Sequence, residues 1–159
     1  MTLSAGELVP DFELRDQHGQ TVRLSSLRGA TAAMIVFYPW AFSGVCGGEL
    51  QQLQAEQADV FGDDVHLLTI STDPMYSLRA YADREGFTFT MLSDFWPHGA
   101  VASAYGVFHD GIGIALRGSF LVDSFGVLRW SVVNGIPDAR DIEDYRMAVG
   151  ALRASAAPG

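Results

Sequence analysis

Residues 32–46 read Ala32-Ala33-Met34-Ile35-Val36-Phe37-Tyr38-Pro39-Trp40-Ala41-Phe42-Ser43-Gly44-Val45-Cys46, and the hydrophobic pattern changes period inside them. Residues 32–38 are a near-continuous apolar run stopped by Pro39, as expected of a central strand covered on both faces. From Gly44 onward Cys46, Leu50, Leu53, Val60 and Phe61 recur at helical spacing, so a helix with one apolar stripe runs to about Phe61. Cys46 therefore stands where a buried strand hands over to a first helix turn. In an open α/β sheet that is the carboxyl end of a strand, where active sites collect.

Working outward, residues 12–14 and 22–24 flank a polar stretch centred on His18-Gly19, which reads as a hairpin. Residues 65–71 form a second buried strand. Asp73-Pro74 reads as N-cap and first residue of a helix that turns Met75, Leu78, Tyr81 and Ala82 inward. Residues 87–92 suit a short strand and 99–105 a short helix. Two strands, 119–123 and 128–133, join at Ser124-Phe125-Gly126. A last helix carries Ile142, Tyr145, Val149 and Leu152 on one face. Alternating strands and helices that end in a hairpin point to an α/β fold, a mixed central sheet with helices on both faces. A thioredoxin-like sandwich satisfies that order over a single domain, residues 1–159. A small flavodoxin-like sheet is the alternative, but it wants parallel strands throughout, and the close 119–133 pair argues for an antiparallel edge.

The net charge of -9, from ten Lys+Arg against nineteen Asp+Glu, argues against nucleic-acid partners and anionic membranes. No basic, apolar leader precedes residue 15 and no apolar run reaches membrane-span length, so the expected location is the cytoplasm. The one cysteine cannot form an internal disulfide, in keeping with a reducing compartment. The four histidines, His18, His66, His98 and His109, show no metal-ligand spacing. Gly111-Ile112-Gly113 lacks the strand–turn–helix setting of a nucleotide loop. No metal and no cofactor is assigned.

Position alone gives Cys46 two readings. Unpaired N–H groups of a first helix turn stabilise a thiolate, while a buried cysteine on an apolar stripe behaves as a small hydrophobe. Ser43 is equally readable as an N-cap, and Pro39 as a strand terminator.

The combined spacing decides between them. Pro39, Ser43 and Cys46 form P-x-x-x-S-x-x-C, which resembles the peroxiredoxin signature, where Thr is commoner at the Ser43 position. The stretches Pro10-Asp11-Phe12-Glu13-Leu14, Glu49-Leu50 and Arg117 before Ser119-Phe120-Leu121-Val122-Asp123 fit as well. Residues 92–101 with Tyr105-Gly106-Val107-Phe108 are similar to the actinobacterial, alkyl hydroperoxide reductase E-like branch of one-cysteine peroxiredoxins. Gly47-Gly48 depart from the usual polar or helix-favouring residues after the cysteine.

The resemblance implies a thiol peroxidase. Cys46 attacks hydrogen peroxide, an organic hydroperoxide or peroxynitrite and becomes a sulfenic acid. Ser43 and Arg117 hold the peroxide oxygens, and Pro39 closes the pocket, with Trp40 and Phe42 as an apolar collar. Glu49 either orients Arg117 or is an ordinary first-turn carboxylate. Without a resolving cysteine, recycling falls to an external thiol or redoxin, with mycothiol and its redoxin favoured by the same analogy. Related proteins dimerise, so a homodimer or higher homo-oligomer is expected. A non-catalytic redox sensor or binding module is the rival reading, and a cysteine hydrolase would need a histidine base beside Cys46.

A free thiol is already a few per cent ionised at neutral pH, so complete ionisation gains only about ten- to thirty-fold. Most of a fast peroxidase's acceleration must therefore come from donors that grip the stretching O–O bond.

Overall fold

The computed structural model describes residues 3–156. The ends of the expected 1–159 domain, 1–2 and 157–159, lie outside the described residues. β1 (Glu13–Asp16) and β2 (Thr21–Arg23) form the expected antiparallel hairpin, followed by a 3-10 turn, Leu24–Leu27. β3 (Ala32–Phe37) is buried along its whole length. It leads into α1 (Gly44–Val60), β4 (Val65–Ser71), α2 (Met75–Glu85), β5 (Thr90–Ser93) and α3 (Ala100–Ala104). β6 (Phe108–His109), β7 (Ile114–Ala115), β8 (Arg117–Val122), β9 (Leu128–Asn134) and α4 (Ile142–Ala156) complete the order.

Seven strands make one sheet in the order β2-β1-β5-β4-β3-β8-β9. β3, β4 and β5 run parallel, while β8 and β9 are antiparallel to their neighbours and β1 to β5. The mixed sheet is the thioredoxin-like arrangement rather than the all-parallel one. Because successive side chains on a strand point to opposite faces, β3 divides the core. Met34, Val36 and Tyr38 join residues of α1, α2 and α4, whereas Ala33, Ile35 and Phe37 join α3 and the N-terminal segments. Cys46, Leu50, Leu53 and Val60 are the buried stripe of α1.

Three details differ from the sequence reading. Pro74, not Asp73, occupies the N-cap of α2, and no side chain caps that helix. The Asp73 carboxylate turns instead toward the loop before α1. The strand expected over 87–92 begins only at Thr90. Phe87 and Phe89 stack at 5.0 Å in the core, and the side-chain amide of Gln17 bonds Phe89 O and Met91 N. The β6–β7 hairpin was not legible in the apolar pattern, and the 111–113 segment is its turn. At the start of α3, Gly99 has φ +69°, and a Cβ there would stand 2.2 Å from Phe108, so only glycine fits.

Candidate active site

The strand registers assemble the site. Continuing the β3–β4 register by one residue beyond Phe37↔Ile70 sets Tyr38 beside Ser71, and Tyr38 N donates to Ile70 O. Extending Val36↔Ser119 by two residues sets Arg117 on the other side of Tyr38. Ser71, Tyr38 and Arg117 thus form a row across three adjacent strands, on the face that carries α1. Cys46, in the first turn of α1, belongs to the same buried cluster as Tyr38 and has no exposed surface.

Arg117 is almost wholly buried. Its Nη1 is 3.3 Å from Cys46 Sγ and 2.6 Å from Glu49 Oε1, and its Nε donates to Ile136 O at 2.6 Å. Cys46 and Glu49 are three residues apart on α1 and so share a face. Glu49 is therefore no ordinary surface carboxylate: one guanidinium nitrogen joins it to the sulfur.

Arg140, in the segment between β9 and α4, completes the network and was missed by sequence reasoning. Its backbone N–H and Nε donate to Glu49 Oε2 at 2.7 and 2.9 Å, and its Nη2 to Oε1 at 2.9 Å. Its Nη1 donates to Phe37 O, Gly118 O and Ser119 Oγ. Burial pushes the Glu49 carboxyl up, but the hydrogen bonds and charge of Arg140, with the charge of Arg117, outweigh it. They hold the group below its ordinary value of 4.5. A charge buried this deeply survives only with such pairing. Nothing periodic marks Arg140 in the sequence, where it is one of ten basic residues.

Ser43 is the N-cap of α1 by position, with extended backbone, yet its side chain caps nothing. Its Oγ is buried without a hydrogen-bond partner among the described residues, an omission that costs about 1–3 kcal/mol. Its carbonyl receives the first i→i−4 bond of the helix, from Gly47 N at 2.8 Å. The N–H groups of Gly44, Val45 and Cys46 precede that bond and point out of the helix start.

Pro39 is buried, and Trp40 and Phe42 stand 43% and 45% exposed around the approach to Cys46. Phe42 has φ +66°, an unusual backbone for a side chain of its size. Its ring is held 4.7 Å from that of Tyr81 and 4.9 Å from the Arg84 guanidinium carbon. Asp73 fixes the same loop: its Oδ2 accepts from Ala41 N at 2.9 Å and from Ser71 Oγ at 2.7 Å. Two clefts, of about 550 and 570 Å³, lie elsewhere and are lined by neither Cys46, Ser43 nor Arg117. A substrate presenting two small oxygens needs no such volume.

Among the described residues, no histidine is a hydrogen-bond partner of Cys46. His98 instead lies between Phe95 O and Gly113 O, and His66 beside Thr90. Among the same residues no helix is long and apolar enough to cross a membrane.

Comparison with known proteins agrees with this geometry. Residues 5–131 match the model of the AhpC/TSA family. The chain is 45% identical over 152 residues to alkyl hydroperoxide reductase E of Mycobacterium tuberculosis, covering 96% of this chain and 99% of that one. It is 30% identical over 161 residues to the putative peroxiredoxin sll0755 of Synechocystis, covering 95% and 79%. Among solved structures, Enterococcus faecalis AhpC superposes with a TM-score of 0.86 at 28% identity, covering 98% and 95% of the two chains. The peroxidoxin BcpB of Mycobacterium tuberculosis does so at 0.83 and 26%, covering 95% and 99%. With a single cysteine beside a buried arginine on a thioredoxin-like sheet, the chain belongs to the AhpC/TSA family and is a peroxiredoxin, an enzyme that reduces hydroperoxides at the expense of a thiol.

Proposed function

We propose that Cys46 is the nucleophile of this peroxidase and that Ser43, Arg117 and Pro39 form its peroxide site. The observation that carries the reading is the 3.3 Å approach of Arg117 Nη1 to Cys46 Sγ, with Glu49 gripping the same nitrogen. The guanidinium aims a rigid donor at the position a peroxide must occupy. The thiolate attacks the distal oxygen, forming an S–O bond as the O–O bond breaks. Sulfur loses two electrons, and the peroxide's own proton passes to the departing oxygen, giving sulfenate and an alcohol or water. Arg117, the orphaned Ser43 hydroxyl and the Cys46 N–H donate to the two oxygens as charge moves between them. Buried Pro39 keeps water out, and the collar of Trp40 and Phe42 favours organic hydroperoxides alongside hydrogen peroxide and peroxynitrite.

The reductant is an external thiol, because the chain has no second cysteine. Mycothiol with its redoxin is the favoured pair, supported by the 45% identity to the mycobacterial reductase. A cytoplasmic homodimer of one-domain subunits is the expected working form. The test is peroxide consumption with excess thiol by wild type and Cys46→Ser, with the oxidised products weighed by mass spectrometry. A redox sensor would be oxidised once without turnover, and a cysteine hydrolase would consume no peroxide.

A further inference from the structure

Four buried side-chain polar atoms among the described residues lack a hydrogen-bond partner: Thr31 Oγ1, Tyr38 Oη, Ser43 Oγ and Tyr81 Oη. Three of them belong to Cys46's own neighbourhood: Ser43 is the N-cap residue of the same helix turn, and Tyr38 and Tyr81 share its buried cluster. The Ser43 hydroxyl has a use in peroxide binding, but the two phenols have none. Tyr38 has no exposed surface and Tyr81 is 1% exposed, and both pack in one cluster with Cys46. Tyr38 is the middle residue of the cross-strand row beneath the start of α1. The Tyr81 hydroxyl lies 3.5 Å from the point a Cβ on Gly47 would occupy, the residue next to Cys46. Ser71 and the Phe42 backbone lie near these hydroxyls but outside hydrogen-bond geometry. Ser71 Oγ gives its own hydrogen to Asp73 Oδ2, and no hydrogen bond joins it to Tyr38 Oη.

Burial, with the charge of Cys46 adding to it, raises Tyr81 to about 12, and burial with the charge of Asp73 outweighs the opposing effect of Ser71 and pushes Tyr38 well above the ordinary phenol value of 10.0. Both phenols stay protonated, so each offers a hydrogen that nothing among the described residues accepts. Buried donors without partners are costly and rare. Two beside one reactive sulfur call for an acceptor that exists only part of the time. The sulfur itself changes in the reaction: it gains an oxygen, and that oxygen is an anionic acceptor, the kind that forms the strongest hydrogen bonds. The phenols come from the end of β3 and from α2, whereas the Arg117 donor on the sulfur comes from β8.

We propose that the Tyr38 and Tyr81 hydroxyls form the binding site for the oxygen that Cys46 acquires on oxidation, idle in the thiol form and engaged in the sulfenate. The assignment rests on the reading that Cys46 reacts with peroxide. It also bears on overoxidation, in which the sulfenate attacks a second hydrogen peroxide to give sulfinate and water. Donors on the sulfenate oxygen draw electron density from sulfur and slow that attack, so the phenols protect the form that a thiol can still reduce.

The test uses Tyr38→Phe, Tyr81→Phe and the double variant, each of which keeps the ring and deletes only the hydroxyl. Cys46 products are followed by mass spectrometry after one equivalent and after excess hydrogen peroxide, and melting temperatures are taken for the reduced and sulfinate forms. The expected result is a first oxidation within about threefold of wild type and a sulfinate step about tenfold faster in the double variant. Reduced double variant should melt at or above wild type, because two idle donors have gone. Its sulfinate form should melt about 3 °C or more below oxidised wild type. Packing alone would lower both melting temperatures together and leave the sulfinate step unchanged, and that outcome overturns the assignment. A wild-type Cys46 that takes up no oxygen would instead overturn the peroxide chemistry beneath it, a failure visible before any variant is made.

Discussion

The backbone N–H of Ala41 donates to Asp73 Oδ2 at 2.9 Å, tying the loop that leads to Cys46 to the end of β4. The same oxygen holds Ser71 Oγ at 2.7 Å. Asp73→Ala would strand both donors, at about 1–3 kcal/mol for each one left dry. The variant should lose stability in urea and reduce peroxide about tenfold more slowly, since a displaced loop carries Ser43 with it. Wild-type rates in a destabilised Asp73→Ala protein would show that the tie serves the fold alone.

Cys46→Ser should remove peroxidase turnover and leave the far-ultraviolet spectrum unchanged. The substitution exchanges one atom in a site that already offers the Arg117 donor. Residual thiol-dependent turnover would rule out Cys46 as nucleophile.

Arg117→Ala should slow peroxide reduction by about 10²–10³-fold, the range for loss of a positioned transition-state donor. A loss of less than about tenfold would show that Arg117 does not hold the transition state.

Ser43 gives a contrast between activity and stability. Ser43→Ala deletes a buried oxygen that bonds nothing, so stability should hold or rise slightly while the peroxide step slows markedly. Ser43→Thr retains the hydroxyl and should keep most of the rate. A mere helix cap would behave in the opposite way, losing about 1 kcal/mol with activity intact.

Glu49 should control acid stability. Its carboxyl titrates below the ordinary 4.5 in the folded chain. Its contribution is therefore complete above that value and disappears as pH falls through the lowered one. Glu49→Gln leaves Arg117 and Arg140 without their shared anion, at about 3–5 kcal/mol near neutral pH. Urea midpoints from pH 7 down to pH 3 should show the gap between wild type and variant closing as the medium becomes more acid.

The sheet and helices were legible because each records its own burial: the unbroken apolar run of β3, the stripe from Cys46 to Phe61, and the inward face of α4. Cys46 became the candidate nucleophile through the resemblance of its spacing from Pro39 and Ser43, because its place at a strand–helix junction left two readings open. Arg117 came only through the family resemblance. What surrounds the sulfur left no local trace. Arg140 meets Phe37 O across 103 positions of sequence and Glu49 across 91. Hydrophobic periodicity reports which side of one element is buried, and it is silent on which polar groups two distant elements share. Tyr38 and Tyr81 were read as apolar positions, which is true of their rings and uninformative about their hydroxyls. Asp73 was assigned to the helix after it because an acidic residue before proline usually caps, whereas the nearer demand came from Ala41.

With no exposed surface on Cys46, whatever reaches the sulfur must first displace the side chains that cover it, by an amount set by its own size. Hydrogen peroxide needs the smallest opening, a low-molecular-weight thiol a wider one, and the cysteine of a protein the widest. Oxidation and recovery should therefore run on separate clocks, with recovery the slower, and a continuous supply of peroxide should hold most copies of the chain in the oxidised state. A small thiol joined to Cys46 would carry a sulfur outward, giving a bulky redoxin something to strike without entering.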